Sequence, residues 1–384
     1  MTPALIPICS NPQKTCDYCH KINYQTGFTA SGASQTYCYN IYKWEWRVAK
    51  LSRKEREAIA RERLLRLLGR HGVATMRIIE QKISDAGPFN QRINPHILTT
   101  VRNELVNEGE VRRLQHAGTT WYHLADDDAD RREQRLDLLT GIYTRASAQA
   151  YTRRVGDALE IATYRALLAA ECDFLGRYRD LDDHDDSTPY SKEEPPSHIS
   201  ARVLPGDLKL DFHYRHDTAG WAGLECKNIR EWLYPNRREL RDLMLKAWSL
   251  DCVPVLIGRR IHPSTVFVFG KCGLIVHQHY NQLVPSADPD LTADLKHKDR
   301  MGFFDIRATN EPDARLQKFV AENLPKIMPE MRKRWNAHTD LIERYAVDQD
   351  MTYQEFAGRV ARRARGQNED GFEPEPDPDD YPDF

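Results

Sequence analysis

The chain has 384 residues, eight cysteines and a formal net charge of −2. This length allows two or three domains, and the near-neutral charge means that any basic surface for a nucleic acid must be local. No apolar run approaches the roughly 18 to 20 residues that a membrane-spanning helix requires, and residues 1–12 lack the basic start and long apolar centre of a signal peptide. We therefore expect no membrane partner and a cytoplasmic, intracellular location, where cysteines stay reduced or bind metal.

Cysteines are concentrated at the start of the chain. Cys16 and Cys19 form a C-x₂-C step with His20 directly after it, and such a step lets two thiolates bind one ion. A tetrahedral zinc site needs two further ligands, which Cys38 together with either Cys9 or His20 would supply. Since so short a segment has little else to hold it folded, residues 1–50 are predicted to form a cysteine-rich module with structural Zn²⁺. Incidental reduced cysteines are the alternative.

Residues 51–126 show three helical segments followed by short β runs at 111–114 and 120–124. The third helix is predicted to begin at Asn94 and Pro95, which are a typical cap and first-turn proline. Three helices followed by a hairpin resemble a winged helix-turn-helix domain. In that fold the third helix enters the major groove of DNA and the hairpin wing touches the backbone.

This resemblance implies that the outward face of the third helix reads base edges or phosphates. The residues concerned are His96, Thr99, Thr100, Arg102 and Asn103 on the helix and Arg112, Arg113 and His116 on the wing. Winged helices also serve as protein-interaction modules, which is the alternative for this domain.

The charged segment 126–134 is predicted to be a linker, and a helix is expected from residue 135 to residue 150. The stretch LKLDFHYRHDTAGWAGLECKN, residues 208–228, then predicts an antiparallel hairpin with its turn at Asp-Thr-Ala-Gly. If the turn centres near Thr218 and Ala219, Asp211 lies across from Cys226.

Two carboxylates and a lysine are predicted to converge on this hairpin. Because side chains alternate faces along a strand, Glu225 and Lys227 point the same way, beside the carboxylate of Asp211. Carboxylates held close repel unless a cation lies between them, and oxygen ligands of this kind suit Mg²⁺. Such an ion acidifies water and neutralises charge on phosphate, while Lys227 would orient the attacking water or stabilise charge at phosphorus. A surface strand with an ordinary ion pair is the simpler alternative.

Asp211, thirteen residues, then Glu225-Cys226-Lys227 resembles the PD-(D/E)XK (restriction-endonuclease-like) nuclease superfamily. The resemblance implies an α/β (α+β) core, here residues 135–310, that binds Mg²⁺, or Mn²⁺ in its place, through Asp211, Glu225 and the carbonyl of Cys226. It also implies a preceding helix whose Glu160 holds the metal or a metal-bound water, while Lys227 assists the nucleophile.

The first acid has a rival in this pattern. The superfamily often places a proline before it, and Pro205-Gly206-Asp207 offers such a position. Asp207 would pair opposite Arg230, further from Glu225, so Asp211 is preferred.

The rest of the core is predicted from apolar patterns. An amphipathic helix is expected around residues 240–248, followed by strands at 253–257, 265–269 and 273–276. Basic and aromatic residues between 227 and 241 suit a phosphate-contacting surface, with an ordinary amphipathic helix start as the alternative.

Two segments are predicted to lie outside the packed core. Residues 178–200 are rich in Asp, Glu, Pro and Ser and predict an exposed loop, in which the acidic run 182–186 is solvated rather than metal-binding. Residues 311–366 are predicted to be helical, and residues 367–384 to be a disordered acidic tail because they cannot bury a core.

These features predict a Mg²⁺-dependent DNA endonuclease that hydrolyses phosphodiester bonds of double-stranded DNA in the nucleoid, as a restriction-modification or defence nuclease does. Recognition by the winged helix would select the site, and a homodimer would allow both strands to be cut. A structure-selective nuclease such as a Holliday junction resolvase is one alternative. A non-catalytic DNA-binding regulator with a nuclease-like fold is another.

Overall fold

The structure is a computed structural model that describes residues 51–85 and 93–371. All of these residues belong to one compact unit of the chain, and they form a mixed α/β structure with several small sheets. The predicted zinc ligands Cys9, Cys16, Cys19 and Cys38 lie outside the described residues. So do residues 372–384 of the predicted tail.

The first part of the described chain contains three helices and a small sheet. Its elements are α1 (Arg53–His71), β1 (Ala74–Thr75), α2 (Met76–Ile83), α3 (Pro95–Asn107), β2 (Val111–His116) and β3 (Thr119–Leu124). The strands are antiparallel in the order β1-β3-β2. Ala117 and Gly118 both have positive φ, 49° and 73°, as a two-residue hairpin turn requires. The predicted hairpin is therefore confirmed, with a tighter turn and longer strands than expected.

Two long helices, α4 (Ala129–Ser147) and α5 (Gln149–Ala169), lead into the second part. The predicted charged linker is wrong for most of its length. The Asp128 side chain accepts a hydrogen bond from the N–H of Arg131 and caps α4, so the charged residues after it form the exposed first turns of a helix.

The second part is built around a five-stranded sheet. Its elements are β4 (Phe174–Leu175), β5 (Arg177–Arg179), β6 (Ser191–Glu193), β7 (His198–Ile199), β8 (Arg202–Val203), β9 (Phe212–His216), β10 (Gly220–Lys227), α6 (Arg238–Leu250), β11 (Val253–Gly258), α7 (Pro263–Lys271) and β12 (Ile275–Gln278). The sheet order is β12-β11-β10-β9-β4, and β10, β11 and β12 are parallel. The carboxyl ends of these three strands therefore share one edge of the sheet.

The segment predicted as an exposed loop, residues 178–200, is instead partly folded. β5 pairs with β6, and Tyr178 and Tyr190 are buried with their ring centroids 6.2 Å apart. Asp186 is also buried and accepts a hydrogen bond from the backbone N–H of Ser286. The polar composition predicted solvation, but two tyrosines supply enough apolar surface to pack the segment against the core.

The strand predicted at residues 265–269 is also wrong, because these residues lie in α7. Pro263 occupies the first turn, and the imidazole of His262 accepts the N–H of Ser264 as a cap. Local capping outweighs the β propensity of Val266 and Phe267.

The last part is mainly helical, as predicted. Its elements are β13 (Gln282–Val284), α8 (Pro289–Lys296), β14 (Ile306–Ala308), α9 (Ala314–Lys318), a π-helical turn (Phe319–Asn323), α10 (Leu324–Asn336), α11 (Thr339–Ile342), a second π-helical turn (Glu343–Asp348), α12 (Tyr353–Ala364) and a 3₁₀ turn (Glu369–Gly371). The predicted disordered tail thus has an ordered start, since Arg363 of α12 donates to the Glu369 carboxylate at 2.9 Å.

Helices cover both faces of the five-stranded sheet. α5, α9 and α10 pack on one face, and α6, α7 and α12 on the other. A third apolar cluster joins α1, α2 and α3 to α4 and also to α8 and β14. The first part of the described chain is therefore packed against the last part through a shared core. Among the described helices, none combines the length and apolarity that crossing a bilayer demands.

Candidate active site

The predicted acid and lysine side chains lie at the end of β10. Phe212 of β9 pairs with Leu224 of β10, whereas the predicted register would place it opposite Glu225. Asp211 precedes β9, and its N–H also donates to the Leu224 carbonyl at 3.0 Å. The predicted register, with Asp211 across from Cys226, is wrong by one residue. Asp211 nevertheless lies close to Glu225, whose charge contributes to the raised pKa of the Asp211 carboxyl after the larger effects of burial and Glu160.

The hairpin turn accounts for this register. His216 pairs with Gly220, which leaves a three-residue loop between the strands. The Nδ1 atom of His216 accepts the N–H groups of Thr218 and Ala219 at 3.2 and 3.1 Å, and Gly220 takes a φ of 74°. Because this loop has three residues and is followed by a left-handed glycine, it is centred on one residue, Thr218, rather than between two residues.

Asp211 is anchored at the end of the strand pair. Its Oδ2 accepts the backbone N–H of Cys226 at 2.6 Å. The N–H and C=O of one strand residue point to the same side, so the Cys226 carbonyl also faces Asp211. Asp207, by contrast, is exposed in the preceding turn. Of the two candidate first acids, Asp211 alone lies beside Glu225.

Glu225 is buried between two lysines. Lys227 donates to its Oε1 at 2.6 Å, and Lys246 of α6 donates to its Oε2 at 2.8 Å. Cys226 points the other way and contacts Thr163 of α5, so Glu225 and Lys227 face the α6 side. Lys227 is the more exposed of the two lysines, with 27% of its side chain accessible.

Glu160 of α5 joins this group through a third lysine. Its Oε2 accepts hydrogen bonds from Tyr178 at 2.9 Å and from Lys192 of β6 at 2.6 Å. The same Lys192 ammonium lies 3.7 Å from Oδ1 of Asp211. The predicted Glu160 therefore does approach the hairpin acids, and Lys192 bridges it to Asp211.

Burial and neighbouring carboxylates together raise the pKa of Asp211. Burial raises the pKa of its carboxyl well above the usual value, and Glu160 and Glu225 raise it further, against the opposing effect of Lys192 and Lys227. Burial alone would lower the pKa of both lysines, but their acidic neighbours raise it above the ordinary lysine value. With Lys246, three carboxylates and three ammonium groups in all thus form one buried to half-buried network.

The oxygen atoms of this network fit a divalent cation by their chemistry. Within residues 51–85 and 93–371, no three His, Cys, Asp or Glu side chains converge closely enough to hold a metal ion, because ammonium groups lie among the carboxylates. Asp211, Glu225 and the Cys226 carbonyl are nevertheless the hard oxygen donors that Mg²⁺ prefers. Burial is the largest cause of the raised pKa of Asp211, and the repulsion from Glu160 and Glu225 that adds to it is what a cation would relieve.

The predicted DNA-reading residues have mixed surroundings. Arg112 and Arg113 of β2 are exposed, and Thr99 is half-buried on α3. Arg102 lies over the Tyr122 ring at 5.0 Å, and Asn103 accepts a hydrogen bond from it at 3.0 Å. The helix face is thus partly tied to its own domain, and the wing is tied to it in turn, because Arg113 also donates to Asn103 at 3.3 Å.

His96, on the first turn of α3, lies towards the core. Burial lowers the pKa of His262 to about 4, and His96 contributes to this decrease. The predicted base-reading histidine is therefore a neighbour of the cap of α7.

The basic segment predicted to contact phosphate is only partly exposed: Arg238 has 88% of its side chain accessible, but its neighbours are engaged within the fold. Arg230 is buried and donates to Asp305 at 2.9 Å, Arg237 pairs with Glu239, and Arg241 lies over the Tyr345 ring. The prediction of a phosphate-contacting surface is wrong for Arg230. The alternative of an ordinary helix start fits Arg237 and Arg241.

Two lysines of the site were not predicted from the sequence. Lys246 lies three residues after Leu243 and four before Leu250, both on the buried face of α6, so its position in the apolar pattern was a detectable signal. Lys192 follows Tyr190 in the segment that composition marked as a loop. No spacing in the sequence connects it to Asp211.

No family model, curated protein or solved structure matches this chain. What it does must therefore be inferred from its own residues.

Proposed function

We propose that this chain is a Mg²⁺-dependent DNA endonuclease with a restriction-endonuclease-like core in which Asp211, Glu225 and Lys227 are catalytic. The observation that supports this proposal is their placement at the end of β10. The Cys226 N–H holds Asp211, and Lys227 hydrogen-bonds to Glu225. A surface ion pair would be solvated, whereas Glu225 is buried and Asp211 carries a raised pKa.

The carboxylates of Asp211 and Glu225, with the Cys226 carbonyl, would hold the ion. A bound Mg²⁺ would acidify a water molecule and neutralise charge on the scissile phosphate. Lys227, whose side chain is partly exposed, would stabilise charge developing on phosphorus oxygens. Glu160, held by Tyr178, approaches the same oxygens from α5.

DNA selection belongs in this proposal to the three helices and hairpin of the first part, which we take to be a winged helix. The exposed Arg112 and Arg113 on the hairpin suit contacts with the phosphate backbone. Recognition and cleavage in one chain suit a restriction or defence nuclease. Cutting both strands of a duplex at one site would require a homodimer.

The test is cleavage of supercoiled plasmid in Mg²⁺ by wild type, Lys227→Ala and Lys209→Ala. Lys209 is exposed on the approach to β9 and provides the same chemical change outside the site. We expect Lys227→Ala to lower the cleavage rate by about 100-fold or more while its DNA affinity changes little, and Lys209→Ala to cut like wild type. Equal rates for all three proteins would refute the catalytic role. A four-way junction added as a substrate separates a structure-selective nuclease from one that cuts linear duplexes.

A non-catalytic DNA-binding regulator is the second candidate. The observation that favours it is the occupation of both Glu225 oxygens by lysine ammonium groups, which leaves that carboxylate neutralised without a metal. Wild-type protein that binds duplex DNA but leaves it intact in both Mg²⁺ and Mn²⁺ would support this candidate.

A further inference from the structure

A second polar pocket opens at the carboxyl ends of β11 and β12. It has a volume of about 390 Å³, and its lining includes Arg260, Tyr280, Phe304, Arg307 and Arg315. The volume lies near the lower end of the range of roughly 300 to 1,000 Å³ that small-molecule sites occupy. It suits one compact ligand rather than an extended chain.

The pocket shares a sheet edge with the candidate active site. Lys227 pairs with Gly258, and Gly258 pairs with Gln278. Arg260 and Tyr280 each follow two residues after the ends of β11 and β12. In open parallel sheets ligands bind beyond the carboxyl ends of the strands. Because β11 is next to β10 and β12 follows it, the pocket lies one to two strands from β10, roughly 5 to 10 Å across the sheet. Its lining includes no residue of the Asp211 network.

Arg260 brings to the pocket a buried guanidinium that forms an ion pair with Asp85 but makes no hydrogen bond to any residue in the described part of the chain. Its side chain is 5% exposed. The nearest acid, Asp85, has Oδ1 3.6 Å from its Nε, beyond normal hydrogen-bonding distance. Burial lowers the pKa of Arg260 despite this acid. An anion in the pocket would supply the hydrogen-bond partner that the guanidinium lacks.

The neighbouring charges strengthen this preference for an anion. Arg307 and Arg315 are exposed at the rim, and no ion pair joins either of them to another described residue. Asp305 also lines the pocket, but Arg230 and Arg259 already donate to its two oxygens at 2.9 and 2.7 Å. The two rim charges are therefore positive, although Arg307 also donates to the carbonyls of Phe304 and Ile306 at 3.0 and 2.8 Å.

Two aromatic residues complete the pocket. Tyr280 has a φ of 69°, a left-handed conformation that is rare for a bulky side chain. In this position its ring makes cation–π contacts with two guanidinium groups, with the ring centroid 5.7 Å from Cζ of Arg260 and 5.4 Å from Cζ of Arg315. Phe304 is 50% exposed and offers an open ring at the same pocket.

We propose that this pocket binds the phosphate of a single nucleotide. Arg260 and the two rim arginines would hold the phosphate, since guanidinium groups match its geometry. The base would stack on Phe304, and the amide of Asn281, which also lines the pocket, is in place to bind a base edge. The nucleotide has two sources, a free mononucleotide or the phosphorylated end of a nucleic-acid strand. The proposal does not depend on cleavage at Lys227.

Calorimetric titration of the full chain with deoxyadenosine 5′-monophosphate tests the proposal. We expect the mononucleotide to bind at least tenfold more tightly than deoxyadenosine or inorganic phosphate. Arg315→Gln and Phe304→Ala should each weaken it at least tenfold. Both side chains are exposed, so these variants should fold. Arg66→Gln, on the exposed face of α1, makes the same chemical change elsewhere and should bind like wild type.

Two outcomes would overturn the proposal. One is absence of mononucleotide binding to wild type, or equal binding by Arg315→Gln and Arg66→Gln. The other is loss of mononucleotide binding in Lys227→Ala, which would place the ligand in the candidate active site instead. Competition with tetranucleotides then identifies the source. Displacement by the 5′-phosphorylated form but not by the 5′-hydroxyl form identifies a strand end, and displacement by neither identifies the free nucleotide.

Discussion

Lys246 of α6 donates a hydrogen bond to Glu225 of β10, with 2.8 Å between Nζ and Oε2, and both side chains are less than 10% exposed. A buried ammonium in this position neutralises the carboxylate that α6 covers. It also fixes one Glu225 oxygen towards the helix and leaves the other, with Lys227, towards the mouth of the site.

Replacement of Lys246 by methionine should destabilise the protein. The change leaves Glu225 buried with only Lys227 as a partner, and breaking a buried pair from one side costs about 3–5 kcal/mol. Urea unfolding measures this loss. The control is Lys326→Met on α10. This change removes the exposed ion pair of Lys326 with Glu322, in the π-helical turn before α10, and should cost less than about 1 kcal/mol. Equal losses in the two variants would show that the Lys246 pair is not a buried one.

Lys192 should act as a substitute for a cation between Glu160 and Asp211. Lys192→Gln is expected to lower the melting temperature in EDTA, because two buried carboxylates then repel without compensation. Added Mg²⁺ should restore most of the loss, since ligand binding to the folded state stabilises it. Arg179→Gln, in the exposed ion pair of the same hairpin, provides the control. A loss that Mg²⁺ leaves unchanged would contradict a cation site at Asp211.

The packing of the first part of the described chain against the rest should depend on a buried ionic link. Arg259 is fully buried and donates to both Asp85, after α2, and Asp305, before β14. Asp85→Asn removes one of its two counter-charges and should lower the free energy of unfolding by about 3–5 kcal/mol. Asp299→Asn, which breaks an exposed pair with Arg70, should cost less than about 1 kcal/mol. A small effect of Asp85→Asn would mean that the first part is held to the rest by apolar contacts alone.

The pH dependence of stability should report on Glu80 of α2. Burial, followed by repulsion from Asp85 and Glu231, raises its pKa to about 7. The folded state therefore binds this proton more tightly than the unfolded state, so its stabilising effect is present below pH ~4.5 and is lost as pH rises through 7. Glu80→Gln should match wild type near pH 4.5 and be more stable by about 1–3 kcal/mol at pH 8. The exposed Glu104→Gln is the control, and an equal gain there would exclude this explanation.

Residue alternation was sufficient to predict the central hairpin and the grouping of Asp211, Glu225 and Lys227. Alternation alone could not predict the strand register. The register depends on the loop length, which is shortened because the imidazole of His216 accepts hydrogen bonds from two N–H groups of the turn. The site also depends on contacts between segments far apart in sequence. Lys192 reaches Glu160 from 32 residues away, and no periodicity records such a contact.

The errors in secondary structure arose where local chemistry competed with composition. At α7, a first-turn proline and a histidine cap stabilise a helix in a segment whose residues have high β propensity. Two buried tyrosines folded a segment whose charges predicted a loop. Capping and aromatic packing depend on the neighbours that a segment meets in the fold, so a pattern of residue types predicts them poorly.

The most direct test of a metal-dependent nuclease here is the rate at which Asp211→Asn and Asp207→Asn cut linear duplex DNA in Mg²⁺. The two acids lie four residues apart on the same approach to β9, but only Asp211 is bonded to the end of β10. We predict that Asp207→Asn cuts at the wild-type rate and that Asp211→Asn loses about 100-fold or more. Equal cutting by both variants, or a loss confined to Asp207→Asn, would contradict the assignment of the site.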